Sequence, residues 1–330
     1  MSGWFGLGSS SSKKEEEEIV SIDVTSRREF IAGSSFKHVD DVVQNESSGS
    51  IKSDKTSNDD SHTWKYMDAS EFSLRVGPNY KRTGAKAPSG PSLYELVGLD
   101  VIQTALRIDD IGNKLNFPEE WSNIQSNHDK VPAIFIVNAQ LPSSFETSLF
   151  TDITDGDGWS LVHYFRIRPE IAAEYAAGIE TASPAAKLFA KYCEDAPNNQ
   201  SDSYSTWYGR FKLILRCENI EEFGLPSFIT GYNAKPVLIR NTGTLLSKKE
   251  SSIYQEIDIN VHRFGSVPKK GLGMLMGKFK EMDISTAFCI ESRDDDEMPE
   301  VILGCARIHK PDYTKAPHWG ELAVQSANST

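Results

Sequence analysis

Two acidic side chains, Glu256 and Asp258, stand two residues apart in a segment where Ile257, Ile259 and Val261 alternate with Glu256, Asp258 and Asn260. A period of two is that of a β-strand with one face on a core, so the two carboxylates share the opposite face. Paired carboxylates can do acid/base work or hold a cation; a solvated strand face is the simpler account. His163 and His262 lie in or beside strand-like runs with no second histidine at ligand spacing, and read as hydrogen-bonded structural residues. The four cysteines, Cys193, Cys217, Cys289 and Cys305, lack CxxC spacing and read as reduced thiols. Cys289 and Cys305 sit in apolar runs, where a free cysteine is a small buried hydrophobe. Phosphate loops, the GxSxG elbow, HExxH, paired CxxC and kinase signatures are missing from the sequence. No catalytic residue, cofactor or metal ligand is therefore expected.

A second group of residues has a positive physical meaning. Within residues 268–280, Leu272, Leu275, Met276 and Phe279 fall at i, i+3, i+4 and i+7, which predicts a helix with one apolar stripe. Lys269, Lys270, Lys278 and Lys280 lie off that stripe, and Arg263 precedes it. The basic side suits anionic headgroups, and the Leu/Met/Phe stripe suits either a core or an acyl chain. Met274 and Met276 would adapt to an irregular apolar ligand. A core helix with a solvated lysine face is the plainer reading. The G-x-G core of residues 271–277 lies inside this helical pattern and not between a strand and a helix; Gly273 and Gly277 are expected to let another backbone approach.

The elements that must position these residues follow from the pattern along the chain. Residues 92–109 space Leu93, Leu96, Val97, Val101 and Ile102 mostly at helical intervals and predict a helix or two short ones. Residues 132–142 form an apolar run closed by prolines, a buried strand; residues 159–167 look like its hairpin partner. Pro169 opens an Ala/Glu-rich helical stretch that Pro184 splits. Further strands are expected at residues 210–217, 236–240, 254–261, 284–291 and 301–308. The fold class is α+β: a mainly antiparallel β-sheet flanked by helices, in a single domain.

That domain is assigned to residues 64–315, with a C-terminal tail at 316–330. Residues 1–63 hold serine runs and a Lys/Glu block that cannot bury enough apolar surface to offset their ordering entropy, so a disordered tail is expected. Its apolar tip at residues 4–7 reads as a frayed terminus. The composition of the whole chain, 38% hydrophobic and 10% aromatic, supports a substantial core. With 35 Lys+Arg against 47 Asp+Glu, the net charge is -12. No sequence-wide basic field exists for a nucleic-acid backbone, so nucleic acid is not an expected partner. An anionic membrane would repel the chain on average, and contact with one requires a local basic patch. There is no signal-peptide pattern and no apolar stretch near the roughly 20 residues of a membrane span. The expected location is the cytoplasm, with or without peripheral contact to a membrane.

Several segments, in order, carry a resemblance. They are residues 72–80 (Phe-Ser-Leu-Arg-Val-Gly-Pro-Asn-Tyr), 93–100 (Leu-Tyr-Glu-Leu-Val-Gly-Leu-Asp), 132–142, 210–214, Lys235-Pro236, 254–260 and 283–304 with Met298-Pro299-Glu300. Together they resemble the C-terminal domain of the plant-type enhanced disease resistance 2 proteins, over residues 64–311. Asn260 and residues 263–266 depart from the family pattern. In longer members the domain follows a phosphoinositide-binding pleckstrin-homology domain and a lipid-binding START domain, and 63 residues are too few for either. The resemblance implies a regulator of defence-related cell death and supplies no catalytic residue. The combined expectation is a non-catalytic, lipid- or membrane-associated regulatory module that binds anionic lipid through Arg263, Lys269, Lys270, Lys278 and Lys280 beside Leu272, Leu275, Met276 and Phe279. The alternatives are an enzyme of unrecognised type acting on lipid, with Glu256 and Asp258 as its acid pair, and a protein-interaction scaffold.

Overall fold

In a computed structural model, which describes residues 30–39, 61–145, 154–200, 206–247 and 253–320, the segment that predicts helix at 92–109 is instead an eleven-residue strand, Tyr94–Thr104. The reason is a bulge at Val97: pairing with the neighbouring strand passes from Leu96 opposite Phe165 directly to Gly98 opposite Tyr164. The extra residue shifts the inward set from Tyr94 and Leu96 to Leu99 and Val101, so a strand acquires helix-like three-residue spacing. Ile102 and Gly98 then point to the other side, which is also covered, and alternation of polar with apolar residues disappears.

The strands, in chain order, are β1 (Lys37–His38), β2 (Thr63–Lys65), β3 (Ser73–Arg75), β4 (Lys86–Pro88), β5 (Tyr94–Thr104), β6 (Ile134–Pro142), β7 (Gly158–Ile167), β8 (Phe211–Cys217), β9 (Pro236–Leu238), β10 (Gly243–Ser247), β11 (Tyr254–Asn260), β12 (Asp283–Ile290) and β13 (Ile302–His309). The α-helices are α1 (Tyr80–Thr83), α2 (Glu119–Ser122), α3 (Pro169–Ala177), α4 (Pro184–Asp195), α5 (Ser227–Thr230) and α6 (Ser266–Met276). The strands form two main sheets where the residue pattern suggests one: β10-β11-β6-β7-β5 and β1-β2-β13-β12-β8-β9, with β3-β4 as a separate ribbon. Pairing is mostly antiparallel, and β11 lies parallel to β6.

The two sheets meet face to face through their aromatic residues. Phe165 of β7 packs edge-on against Phe288 of β12 at 5.8 Å, and Phe135 of β6 lies 6.1 Å from Phe211 of β8. Proline at the first position of α3 and of α4 starts both helices, as the residue spacing predicts. Helix α4 inserts Phe189 and Tyr192 at the edge of this layer, against Tyr94, Phe135 and Phe211. The outer face of the six-stranded sheet is sealed by Met67, Ala69, Phe72 and Leu74 against Ile214, Ala287, Cys289, Ile302 and Cys305.

Residues 30–39 lie within the segment assigned to the tail, yet they pack onto the domain. Gly33 and Gly98 approach so closely that a Cβ on Gly98 would sit 2.9 Å from the Gly33 Cα. That proximity lets the Gly33 and Ser35 amides donate to Asp100 at 2.7 and 2.8 Å. At the other end, Gln103 of β5 pairs with His318, so part of the segment assigned to the C-terminal tail also joins the fold. The apolar tip at residues 4–7 lies outside the described residues.

Candidate functional site

Glu256 and Asp258 share a face of β11, as alternation predicts, but that face is not solvated: they are 0% and 2% exposed. The cover is the connection after β5. Its backbone would be stranded away from water without partners, and side chains of β6 and β11 provide them. Glu256 accepts from the amides of Ile111 and Gly112, each at 2.9 Å, one carboxylate oxygen apiece. Asp258 accepts from the Asp110 amide at 3.1 Å and from Asn138 Nδ2 at 2.6 Å. Asn138 also donates to the Ile108 carbonyl at 2.8 Å, and Gln140 donates to the same carbonyl at 3.1 Å. Parallel register between β6 and β11 sets Asn138 beside Asp258 and Gln140 beside Asn260, which aligns this polar row.

Gly112 is required by the geometry. A Cβ there would stand 2.7 Å from Tyr254 and 2.8 Å from Ile136, so only glycine brings its amide down to Glu256. Tyr254 also secures the loop two residues earlier by donating to Asp110 at 3.0 Å. Burial, and then the charge of Glu256, pushes the Asp258 carboxyl up to about 10, and burial raises Glu256 as well. At neutral pH the pair therefore keeps a proton, shared in a hydrogen bond between Asp258 and Glu256. The chemistry available to this pair is that of a clamp: its acceptors take up three loop amides and the Asn138 side chain.

At the rim of the clamp, Arg107 reaches Asp109 and Gln140 at 3.2 and 3.1 Å and faces Asp155 at 3.6 Å. His262 lies close by and its ring is lowered, by burial first and also by the neighbouring cations Arg107 and Lys269. His163 is a core residue, hydrogen-bonded across the two sheets to Thr286 at 2.9 Å. Burial drops its ring to about 3 and keeps it neutral. All four cysteines are free and buried, with Cys217 pushed up by burial to about 11 and Cys289 and Cys305 to about 12.

The basic segment forms α6, which ends at Met276, three residues short of Phe279; Phe279 falls in the following 3-10 turn. Leu272, Leu275 and Met276 lean on a small cluster of Cys217, Ile220, Phe279 and Met282, so the stripe faces the domain. No residue of α6 itself is fully buried. Its outer side carries Val267, 56% exposed, and Met274, 38% exposed. Arg263 and Lys270 are exposed and Lys269 is half-buried. The other two lysines are engaged with the protein: Lys278 lies over the Phe223 ring, and Lys280 pairs with Asp312 at 3.0 Å. Helix α5 is adjacent, with Ile229 touching the position of a Cβ on Gly271. It adds exposed Phe228, and the turn after it adds Tyr232. Gly273 accommodates Phe145, whereas Gly277 has no close neighbour.

Asn138, Gln140 and Gly112 are absent from the residues singled out by sequence. The signal was a pair of amides at alternate positions inside the apolar run of β6, where a polar side chain needs a buried partner.

Residues 64–312, about three quarters of the chain, match the family described as Protein ENHANCED DISEASE RESISTANCE 2, C-terminal. A curated Arabidopsis thaliana protein, "Protein ENHANCED DISEASE RESISTANCE 2-like", is 22% identical over 275 residues, covering 82% of this chain. The aligned region is 31% of that relative, so the chain spans under a third of its length. No solved structure matches. Among the described residues no helix is long and apolar enough to cross a membrane. The extent of the family match establishes that this chain belongs to the ENHANCED DISEASE RESISTANCE 2 C-terminal domain family.

Proposed function

We propose that this domain is a non-catalytic regulatory module that docks on anionic membrane surfaces through α6 and α5. One observation carries the reading. Residues 261–280 contain five Lys or Arg and no carboxylate in a chain of net charge -12, and the same helix turns Val267 and Met274 outward. Cations beside exposed apolar side chains are the chemistry of an interfacial helix, in which headgroups meet the charges and the apolar groups enter the acyl boundary. The Leu272, Leu275 and Met276 stripe holds the helix on the domain, and Phe228 and Tyr232 extend the outward surface. Arg263, Lys269 and Lys270 serve as the headgroup contacts. The name of the Arabidopsis relative concerns disease resistance, and we extend a regulatory part in that process to this chain.

Co-sedimentation with phosphatidylserine-containing vesicles tests the docking. Each basic residue near an anionic surface contributes about 1 kcal/mol, so Arg263→Glu/Lys269→Glu/Lys270→Glu should cut binding by more than about tenfold. Val267→Asp/Met274→Asp should weaken it as well, and added salt should weaken the wild type. Equal binding by wild type and both variants would sink the reading.

A further inference from the structure

The seam between the two sheets opens, where β5 begins, into a cleft of about 300 Å3. Leu96 of β5, Cys305 of β13 and Met67 line its apolar part, and Tyr66 stands at its rim. Arg168, between β7 and α3, reaches into the same space. Its root is fixed by its own amide donating to the Leu93 carbonyl at 3.1 Å. Its Nε donates to Ser92 Oγ at 3.2 Å, and Ser92 in turn donates to the Tyr94 carbonyl at 2.6 Å. The two terminal nitrogens have no ion-pair partner among the described residues. Glu95, the carboxylate at the cleft, is already taken by Arg166, whose Nε lies 2.8 Å away. The nearby Asp68 accepts from the Ser70 amide at 2.8 Å and meets Arg168 through its charge without forming an ion pair.

We propose that this cleft binds a small organic carboxylate, gripped by the terminal nitrogens of Arg168, with its short apolar body against Met67, Leu96 and Cys305. A guanidinium tethered through Nε presents its remaining N–H groups as a planar fork that matches a carboxylate. The apolar lining supplies a place for carbon, and the volume lies at the lower end of small-molecule sites. A phosphate fits less well, because no second cation lines the cleft to meet a dianion and the Tyr94 hydroxyl is committed to the Pro132 carbonyl at 2.6 Å. This site is separate from α6 and stands or falls independently of membrane docking.

Amide chemical shifts of the full chain, titrated with hexanoate, 1-hexanol and inorganic phosphate, decide it. Hexanoate should shift Ser92, Leu96 and Arg168 saturably, with hexanol and phosphate each at least about tenfold weaker. Arg168→Gln should lose hexanoate by about tenfold or more. Arg168→Lys, which keeps the charge without the fork, should fall between the two and serves as the deciding variant if Arg168→Gln does not fold. Absence of saturable hexanoate binding, undiminished binding by a folded Arg168→Gln or by Arg168→Lys, or phosphate binding as tight as hexanoate would each overturn the proposal.

Discussion

The clamp on β11 and the helix α6 invert the usual placement of polar and apolar side chains. On β11, two carboxyls lie sealed beneath a loop; on α6, valine and methionine face outward while lysines share the surface. The contrast teaches that alternation identifies which residues share a face, not what covers that face. A strand face holding Glu256 and Asp258 is stable inside because backbone amides of residues 110–112 need acceptors there. The α6 stripe is apolar enough to bury but meets only a small satellite cluster, so the helix remains attached at its edge and partly open.

The largest effect should come from emptying the clamp. Glu256→Ala strands the Ile111 and Gly112 amides and should cost about 2–5 kcal/mol in urea unfolding, with amide exchange accelerating across residues 107–115. A cost below about 1 kcal/mol would mean water replaces the carboxylate and the loop is not held by it.

Next is the pH response. The native state keeps the proton shared by Glu256 and Asp258, which the unfolded chain releases near an ordinary carboxyl value, so stability contributed here is full at acid pH and is lost as pH rises from about 4 towards about 10. The slope approaches about 1.4 kcal/mol per pH unit, and Asp258→Asn should flatten it between neutral and alkaline pH. His163 acts oppositely: its lowered ring keeps the native state neutral, so stability falls as pH drops below about 6.5. A wild type whose stability rises from pH 7 to 9 would contradict the proton held by the Glu256–Asp258 pair.

Gly112→Ala should cost about 1–3 kcal/mol, because its Cβ meets Tyr254 and Ile136 and pushes the amide off Glu256. The same substitution in the Glu256→Ala background should cost less, since the bond it disrupts is already gone.

The smallest stability effects belong to α6. Met274→Asp should change unfolding free energy by no more than about 0.5 kcal/mol, and Lys280→Gln, which breaks the exposed pair with Asp312, by no more than about 1 kcal/mol. A loss of several kcal/mol on Met274→Asp would show that its side chain is part of the core after all and would close the contrast with the clamp.

Much of this was written in local pattern. Pro169 and Pro184 mark two helix starts because proline is preset for the first helical turn, and the β6 and β7 runs mark their strands through apolar length and β-branched residues. The helical stripe of Leu272, Leu275 and Met276 and the identity of the strand carrying Glu256 and Asp258 are likewise local properties, whereas Phe279 falls beyond the end of α6. What the chain order cannot carry is decided in three dimensions. The bulge at Val97 gives a strand the spacing of a helix, since one extra residue resets the phase and both faces are covered. The division into two sheets, the burial of the acid pair and the docking of residues 30–39 all arise from contacts between segments far apart in sequence. Glu256 is an exposed acid or a buried acceptor according to whether residues 110–112 lie over it, and that contact spans about 145 residues of chain. Apart from β5, local periodicity marked the main elements and their faces; the long-range packing determined which faces met water, because burial is a property of the partner as much as of the strand.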